Sequence, residues 1–164
     1  MPNKAKIYLD TSAISHLEQP EKPSEQTYTL EMFKRIQLGA FSVYLSSVVI
    51  EEIMASPQAK KDALMEHIAN VNFIDIPLTD EVQELGKKII IQNVLPPKSV
   101  NDSLHIAAAI IAGCDYAVSW NMKHMANVRT NKGIRHITLD EGHKEIMLVP
   151  PSMLLLEGSS FDEA

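Results

Sequence analysis

Carboxylate and amide side chains directly follow several apolar runs in the sequence. The run Ile7-Tyr8-Leu9 ends in Asp10, and two hydroxyl residues, Thr11 and Ser12, come next. A carboxylate at the end of a buried strand, with hydroxyls able to donate to it, suits the oxygen coordination that Mg²⁺ or Mn²⁺ prefers. Further candidates occur at Glu51, Glu52, Asp102 and Asn121.

Two of these carboxylates also fit a purely structural role. Asp10 could cap the N-terminus of the helix that follows it, because aspartate is favoured at that position. The spacing Ser99-x-x-Asp102 has the form of a capping box, with the carboxylate in the first helical turn. One oxygen of Asp102 can serve the helix while the other faces a metal, so both interpretations stay open.

The remaining candidates are ambiguous from the sequence. Glu51 and Glu52 are adjacent, and helical periodicity does not decide which of them faces inward. Asn121 follows an apolar run, where asparagine is typical of a turn. His105 and His124 do not form a two-histidine spacing such as H-x-x-x-H, which favours packing or substrate contact over metal binding.

The elements that would position these residues alternate between strands and helices. Strand-like runs occur at 6–9, 41–45, 72–76, 116–120, 134–139 and 145–149. Helical patterns are predicted to begin at Ser24, at Ser46 or Ser47, at Thr79 and at Ser99, and to end at Gly39, Met54, Pro96 and Gly113. This alternation predicts an α/β protein, a single α/β/α sandwich with a central parallel sheet. Ligands of such sheets bind beyond the carboxyl ends of the strands, where the polar candidates would meet.

The composition describes one ordinary globular domain. The chain has 164 residues, of which 45% are hydrophobic and 22% charged. Its single cysteine, Cys114, lies in an apolar stretch and is expected to be a buried, inert thiol. The N-terminus lacks a signal-peptide pattern and the longest apolar stretch, 106–114, is too short to cross a bilayer, so we expect a cytoplasmic protein without membrane contact.

Charge is distributed unevenly along the chain. The net charge is −6, which by itself disfavours a general nucleic-acid binder. Residues 116–139 nevertheless contain no acidic side chain, and the rest of the chain therefore has a net charge of −10. The segment carries four cations: Lys123, Arg129, Lys132 and Arg135. The segment is either an ordinary solvated face or a local patch that attracts phosphate. The sequence lacks P-loop, dinucleotide-binding, C-x-x-C and G-x-S-x-G motifs.

Three blocks in register resemble the PIN domain family, and specifically its VapC-type toxin branch. The blocks are YLDTSAIS, LSSVVIEEI and NDSLHIAAAIIAGCDYAVSWNMKHMANVR, which lie within residues 6–54 and 99–138. The resemblance implies an α/β/α sandwich and a ribonuclease that depends on Mg²⁺ or Mn²⁺. By this resemblance the metal ligands are Asp10, Glu52 and Asp102, the fourth catalytic position is Asn121, and the supporting hydroxyls are Thr11, Ser12 and Ser119.

The same resemblance extends to substrate and partners. Many family members have aspartate at the fourth position, so Asn121 leaves open whether one or two metals bind. Lys123, His124 and Arg129 are the candidate contacts to RNA. The implied function is a metal-dependent endoribonuclease, the toxin of a toxin–antitoxin pair, with an antitoxin protein as partner. A two-fold homodimer is expected, partly from the apolar helical segments Val82–Leu95 and Ile106–Ala112.

Two other functions are compatible with parts of the pattern. A catalytically silent PIN module could act as a scaffold that binds RNA or protein, although three retained acidic positions argue against it. A phosphatase with Asp10 as nucleophile would require D-x-D-x-T, whereas the sequence reads D-T-S-A-I. We expect residues 1–157 to form the nuclease domain and 158–164, which are small and polar, to be a flexible tail.

Overall fold

A computed structural model describes residues 4–156 and shows a five-stranded, entirely parallel sheet flanked by helices. The strands are β1 (Ala5–Leu9), β2 (Phe41–Ser46), β3 (Phe73–Ile76), β4 (Tyr116–Val118) and β5 (Met147–Val149). Their spatial order is β3-β2-β1-β4-β5, with β1 in the centre. The predicted α/β/α sandwich is therefore confirmed. The expected tail, 158–164, lies outside the described residues.

Helices connect the strands, as parallel pairing requires. They are α1 (Thr11–Ser15), α2 (Pro23–Gln37), α3 (Ser47–Met54), α4 (Gln58–Ala69), α5 (Asp80–Ile91), α6 (Val100–Ile111), α7 (Val128–Glu141) and α8 (Pro151–Leu154), with a short 3₁₀ helix at His16–Glu18. The predicted cap Thr79 accepts a hydrogen bond from the backbone nitrogen of Val82. None of these helices combines the length and apolarity needed to cross a membrane.

One predicted strand, 134–139, is wrong because these residues belong to α7. The β-branched residues of this run favour a strand when taken alone. In the fold, Ile134 and Ile137 are both buried on one helical face. Asn127 caps the helix by accepting from the nitrogen of Thr130. Gly133 supports the same packing, since a Cβ there would lie 2.9 Å from the Val94 methyl groups.

Several predicted boundaries also differ from the structure. Strand β4 ends at Val118 and not at residue 120, which leaves Ser119 to Asn121 in the loop beyond the strand. Helix α5 ends at Ile91, before the prolines, and the turn that follows has Asn93 at φ 61°. The predicted stop at Gly113 agrees with its positive φ of 71° at the end of α6.

The core is built from both faces of the sheet. Ile7, Tyr8 and Leu9 are at most 1% exposed, as expected for a central strand covered on both sides. Cys114 is fully buried, and burial raises the pKa of its thiol to about 12, which supports the prediction of an inert cysteine. The apolar run Ile106–Ile110 is likewise buried in the protomer's own core, so these residues offer no exposed surface for a dimer.

Candidate active site

The candidate residues meet where the chain reverses its direction across the sheet. From β1 the chain proceeds outward through β2 and β3, and it then returns to β4 on the other side of β1. Leu9 pairs with Val118 in register, and the nitrogen of Asp10 donates to the Val118 carbonyl over 3.2 Å. Asp10 and Ser119 therefore leave adjacent strands at the same edge, which is the usual ligand position in a doubly wound sheet.

Asp10 is 4% exposed and accepts from three groups. Its Oδ1 accepts from the Ser12 hydroxyl at 2.7 Å and from the Ala13 nitrogen at 2.9 Å. Its Oδ2 accepts a short hydrogen bond from the Ser119 hydroxyl. Ser12 in turn accepts from the backbone nitrogen of Trp120 at 2.9 Å, which ties the two loops together. Asp10 therefore caps α1 and also stands in the polar cluster, so the cap does not remove it from the candidate site.

Glu52 points into this cluster, whereas Glu51 is exposed. Its Oε1 accepts from the Thr11 hydroxyl at 2.7 Å and lies 2.6 Å from Nε2 of the buried His105. Burial alone would raise the pKa of Glu52, but the hydrogen bond and charge of His105 and the hydrogen bond of Thr11 lower it below its ordinary value. The structure thus makes the distinction between the two glutamates that periodicity could not make.

A buried chain of hydrogen bonds supports Glu52 from behind. The Nδ1 atom of His105 lies 2.6 Å from the Tyr8 hydroxyl, which lies 2.7 Å from the hydroxyl of Ser46. Since an ionised carboxylate only accepts, Nε2 of His105 donates to Glu52, while its Nδ1 shares a hydrogen bond with the Tyr8 hydroxyl. The position of this imidazole is therefore set by Glu52 on one side and by the centre of the sheet on the other.

Asp102 joins the cluster through Asn121. The Asn121 Nδ2 donates to Asp102 Oδ2 at 3.2 Å, while its Oδ1 accepts from the nitrogen of His124 at 3.1 Å. Burial raises the pKa of Asp102, and the negative charges of Asp10 and Glu52 add to this shift. Asp102 is thus close enough to the other two carboxylates to be affected by their charge.

The predicted capping box at the start of α6 is not formed as expected. Ser99 is the N-cap residue, but its side chain makes no capping hydrogen bond. The Ser99 carbonyl accepts from the nitrogen of Ser103, as at any helix start. Asp102 is therefore left to interact with Asn121, so the structure favours its place in the polar cluster over a role as a cap.

The side chains of the cluster suit a divalent cation by the type of their ligand atoms. Three carboxylates and an amide converge on one edge, and hard cations prefer such oxygen ligands. Among residues 4–156, however, no group of three or more His, Cys, Asp or Glu side chains is arranged to hold a metal. The Oε1 of Glu52 is occupied by Thr11 and His105, and both Asp10 oxygens accept hydroxyl protons. Coordination would therefore require these side chains to turn towards a common point.

The basic segment divides between two surfaces. Lys123, His124 and Arg129 line a cavity of about 590 Å³. Pro96 and Met122, the residue after Asn121, line it as well. The other two cations of the segment, Lys132 and Arg135, line a separate groove of about 620 Å³ beside β5. The first surface is connected to the carboxylate cluster through His124, whose backbone nitrogen donates to Asn121 Oδ1, and the role of its three basic residues as RNA contacts stays a prediction.

Sequence reasoning missed the histidine and tyrosine that support Glu52. His105 follows Asp102 by three residues, a spacing that places both on one side of α6, and this was the available signal. Tyr8 looked like an ordinary strand residue, since nothing local indicates that its hydroxyl meets residues 38 and 97 positions away.

Comparison with known proteins places this fold and cluster in a family. The PIN domain model matches residues 7–146. A solved structure with a similar fold is the VapBC2 complex of Rickettsia felis bound to a DNA fragment from its promoter, with a TM-score of 0.55 and 13% sequence identity. The alignment covers 88% of this chain and 98% of that one. A search of curated protein sequences finds no significant match. Because the family model spans most of the sequence and includes every residue of the carboxylate cluster, the chain belongs to the PIN domain family.

Proposed function

We propose that the protein is a metal-dependent endoribonuclease that hydrolyses RNA phosphodiester bonds. PIN domains are generally nucleases. The observation that carries the proposal is the convergence of Asp10, Glu52 and Asp102 at the edge of the sheet where the strand order changes direction. The raised pKa of Asp102, caused by burial and by the neighbouring carboxylates, marks a local excess of negative charge. A cation bound there would remove that excess.

Asp10, Glu52 and Asp102 would hold Mg²⁺ or Mn²⁺, and the ion would supply an acidified water and offset charge on the reacting phosphate. The chain's own residues orient the ligands. Ser12 and Ser119 donate to Asp10, and Thr11 and His105 fix the carboxylate of Glu52: the distances are 2.7 Å for Ser12, 2.7 Å for Thr11 and 2.6 Å for His105. Loss of such a contact to a metal ligand typically lowers the metal affinity about 10- to 100-fold.

Asn121 and the adjacent cavity would position the substrate. The Asn121 amide donates to Asp102 through Nδ2 and adds no fourth negative charge, which favours one metal over two. Lys123 and Arg129 are both exposed and line the cavity next to Asn121. They would bind phosphates flanking the reacting one, and this local attraction would offset the repulsion between RNA and a chain of net charge −6.

Cleavage assays with matched variants test this proposal. Wild-type protein should cleave single-stranded or looped RNA in Mn²⁺ or Mg²⁺, and EDTA should abolish the reaction. Asp10→Asn should be inactive under the same conditions, which controls for contaminating nucleases. Undiminished cleavage in EDTA would refute the metal mechanism.

A catalytically silent scaffold is the second candidate, and one observation favours it. No metal-ready cluster exists among residues 4–156, and the Oε1 of Glu52 is already engaged by two donors. A silent module would bind RNA or protein without cleaving, and Mn²⁺ would not raise its melting temperature. Calorimetric titration of the purified protein with Mn²⁺ separates the two candidates, since only the nuclease should show a defined binding step.

We also propose a toxin–antitoxin pairing and self-association. The VapC-like motif blocks and the similar fold of the Rickettsia felis VapBC2 complex support an antitoxin partner. Self-association is supported by exposed apolar side chains on α5 and α6, since Ile91 is 76% and Val100 52% exposed beside an apolar groove. An adjacent small open reading frame whose product co-purifies with the chain would support the first, and sedimentation at micromolar concentration tests the second.

A further inference from the structure

Three rings form a row beside the carboxylate cluster. The Trp120 indole contacts the His16 ring at a centroid distance of 5.8 Å and the Tyr28 ring at 6.3 Å. His16 is buried at 7% exposure, whereas Tyr28 is 45% exposed. Trp120, which contacts both, is half-buried. The row therefore begins in the core and ends at the surface with Tyr28.

The row is mounted rigidly with respect to the candidate ligands. The indole Nε1 donates to Oγ1 of the fully buried Thr29 at 2.8 Å. The backbone nitrogen of Trp120 donates to the Ser12 hydroxyl, which itself donates to Asp10. The backbone of Trp120 is thus two hydrogen bonds away from Asp10, and the indole is held separately by Thr29.

The exposure of Tyr28 is unusual within this chain. Aromatic residues make up only 5% of the sequence. Of the large hydrophobic side chains that are exposed between residues 4 and 156, Tyr28 is the one aromatic. The hydroxyl of Tyr28 is not needed to explain its contact with Trp120, which is a ring-to-ring contact. A flat, exposed ring on a rigid base beside a phosphate-processing site matches the platforms on which unpaired bases stack.

We infer that Tyr28, backed by Trp120, forms a binding site for one unstacked nucleobase of single-stranded RNA next to the reacting phosphate. This inference rests on the proposed nuclease function. It places the base on the side of Asp10 and Trp120, while Lys123 and Arg129 would hold phosphates on the side of Asn121. The site selects single strands because a base paired in a duplex has no free face to offer the ring.

The single tryptophan of the chain provides a direct reporter, since it contacts the proposed site. The experiment titrates single-stranded oligoadenylate RNA into the protein in EDTA, where no metal-dependent cleavage can occur, and follows Trp120 fluorescence. Wild type should show saturable quenching, and double-stranded RNA should quench weakly. Tyr28→Leu should raise the dissociation constant roughly 5- to 150-fold, the range for loss of one stacked base. Tyr28→Phe keeps the ring and should restore binding.

Leu30→Ala is the matched control, because Leu30 is an exposed apolar residue of the same helix, 52% exposed, and carries no ring. It should bind RNA as wild type does. Equal binding by wild type and Tyr28→Leu, or equal quenching by duplex and single strand, would overturn the base site. If RNA is cleaved in Mn²⁺ but Tyr28→Leu changes neither KM nor the dissociation constant, the base site is wrong and the nuclease stands. If Tyr28→Leu weakens binding but no RNA is ever cleaved, the nuclease is wrong and the base site stands.

Discussion

Replacing Tyr8 by Phe removes one oxygen atom from the centre of the sheet. Tyr8 is 0% exposed, and its hydroxyl lies 2.7 Å from Ser46 Oγ and 2.6 Å from His105 Nδ1. Those two partners are buried as well, so the variant leaves polar atoms without a hydrogen bond and without access to water. The free energy of unfolding should fall by about 1–3 kcal/mol, the usual cost of such an unsatisfied group.

The same substitution should reach the candidate metal site through His105. With the phenol in place, Nδ1 of His105 is hydrogen-bonded to Tyr8 and Nε2 donates to Glu52. Without it, Nδ1 has no partner and the imidazole is held only by its contact with Glu52, so the donor to Glu52 is less firmly positioned. Mn²⁺ should therefore bind the variant roughly 10-fold more weakly, the lower end of the effect expected for an outer contact.

Thermal denaturation and calorimetric titration with Mn²⁺ measure these two effects. For a chain of this size, 1 kcal/mol corresponds to about 2–4 °C in melting temperature, so a decrease of several degrees is expected. Tyr44→Phe is the control, because Tyr44 lies half-buried on β2 and its hydroxyl makes no side-chain hydrogen bond within residues 4–156. If Tyr8→Phe matches Tyr44→Phe in both measurements, the support of Glu52 by the buried chain is refuted.

Three further predictions concern the site and the surface. Glu52→Gln should abolish metal-dependent cleavage while Glu51→Gln, at an exposed position, retains it; loss confined to the Glu51 variant in the same assay would reverse the assignment. Asp102→Asn should melt at or above wild type near neutral pH without metal. The pKa of Asp102 is raised in the folded state, so the folded wild type loses stability as pH rises through that pKa and the carboxyl ionises. The advantage of the variant should vanish below pH 3.8, the ordinary pKa, where the carboxyl is protonated in both the folded and the unfolded state. Mn²⁺ should raise the wild-type melting temperature more than that of Asp102→Asn, whereas an equal rise would remove Asp102 from the ligand set. Ile91→Glu should shift any self-associated species to monomer in sedimentation, because Ile91 is 76% exposed beside an apolar groove; an unchanged sedimentation profile would place the interface elsewhere.

The sequence predicts those features that depend on local pattern. Apolar runs that end in Asp10 and near Asn121 predicted the sheet edge, because the carboxyl ends of parallel strands must lie together. The run 134–139 misled because its β-branched residues favour a strand, while the buried face formed by Ile134 and Ile137 is recognisable only once α7 packs on its neighbours. Local preference was overridden there by tertiary packing.

The supporting contacts of the site were beyond local pattern. Glu52 was chosen over Glu51 by family resemblance alone, and the structure supplies the physical reason in Thr11 and His105. The Tyr8 hydroxyl joins residues from β1, β2 and α6, and only the sheet register brings them together. Asp10 shows another case, since the capping contact that the sequence offered as its structural role is present and its role as a metal ligand stays a prediction.

The electrostatics of the cluster support the proposed binding of a cation. Asp10 and Glu52 each receive several hydrogen bonds from hydroxyls, a backbone amide or an imidazole, and these donors stabilise the charge without neutralising it. Among residues 4–156, Asp102 receives one side-chain hydrogen bond, from the Asn121 amide at 3.2 Å, and its pKa is raised by burial and by the other two carboxylates. Replacing that amide by a fourth carboxylate would add repulsion without adding a donor. The network therefore holds two carboxylates ready and leaves the third with an unfavourable charge, which a divalent ion would relieve.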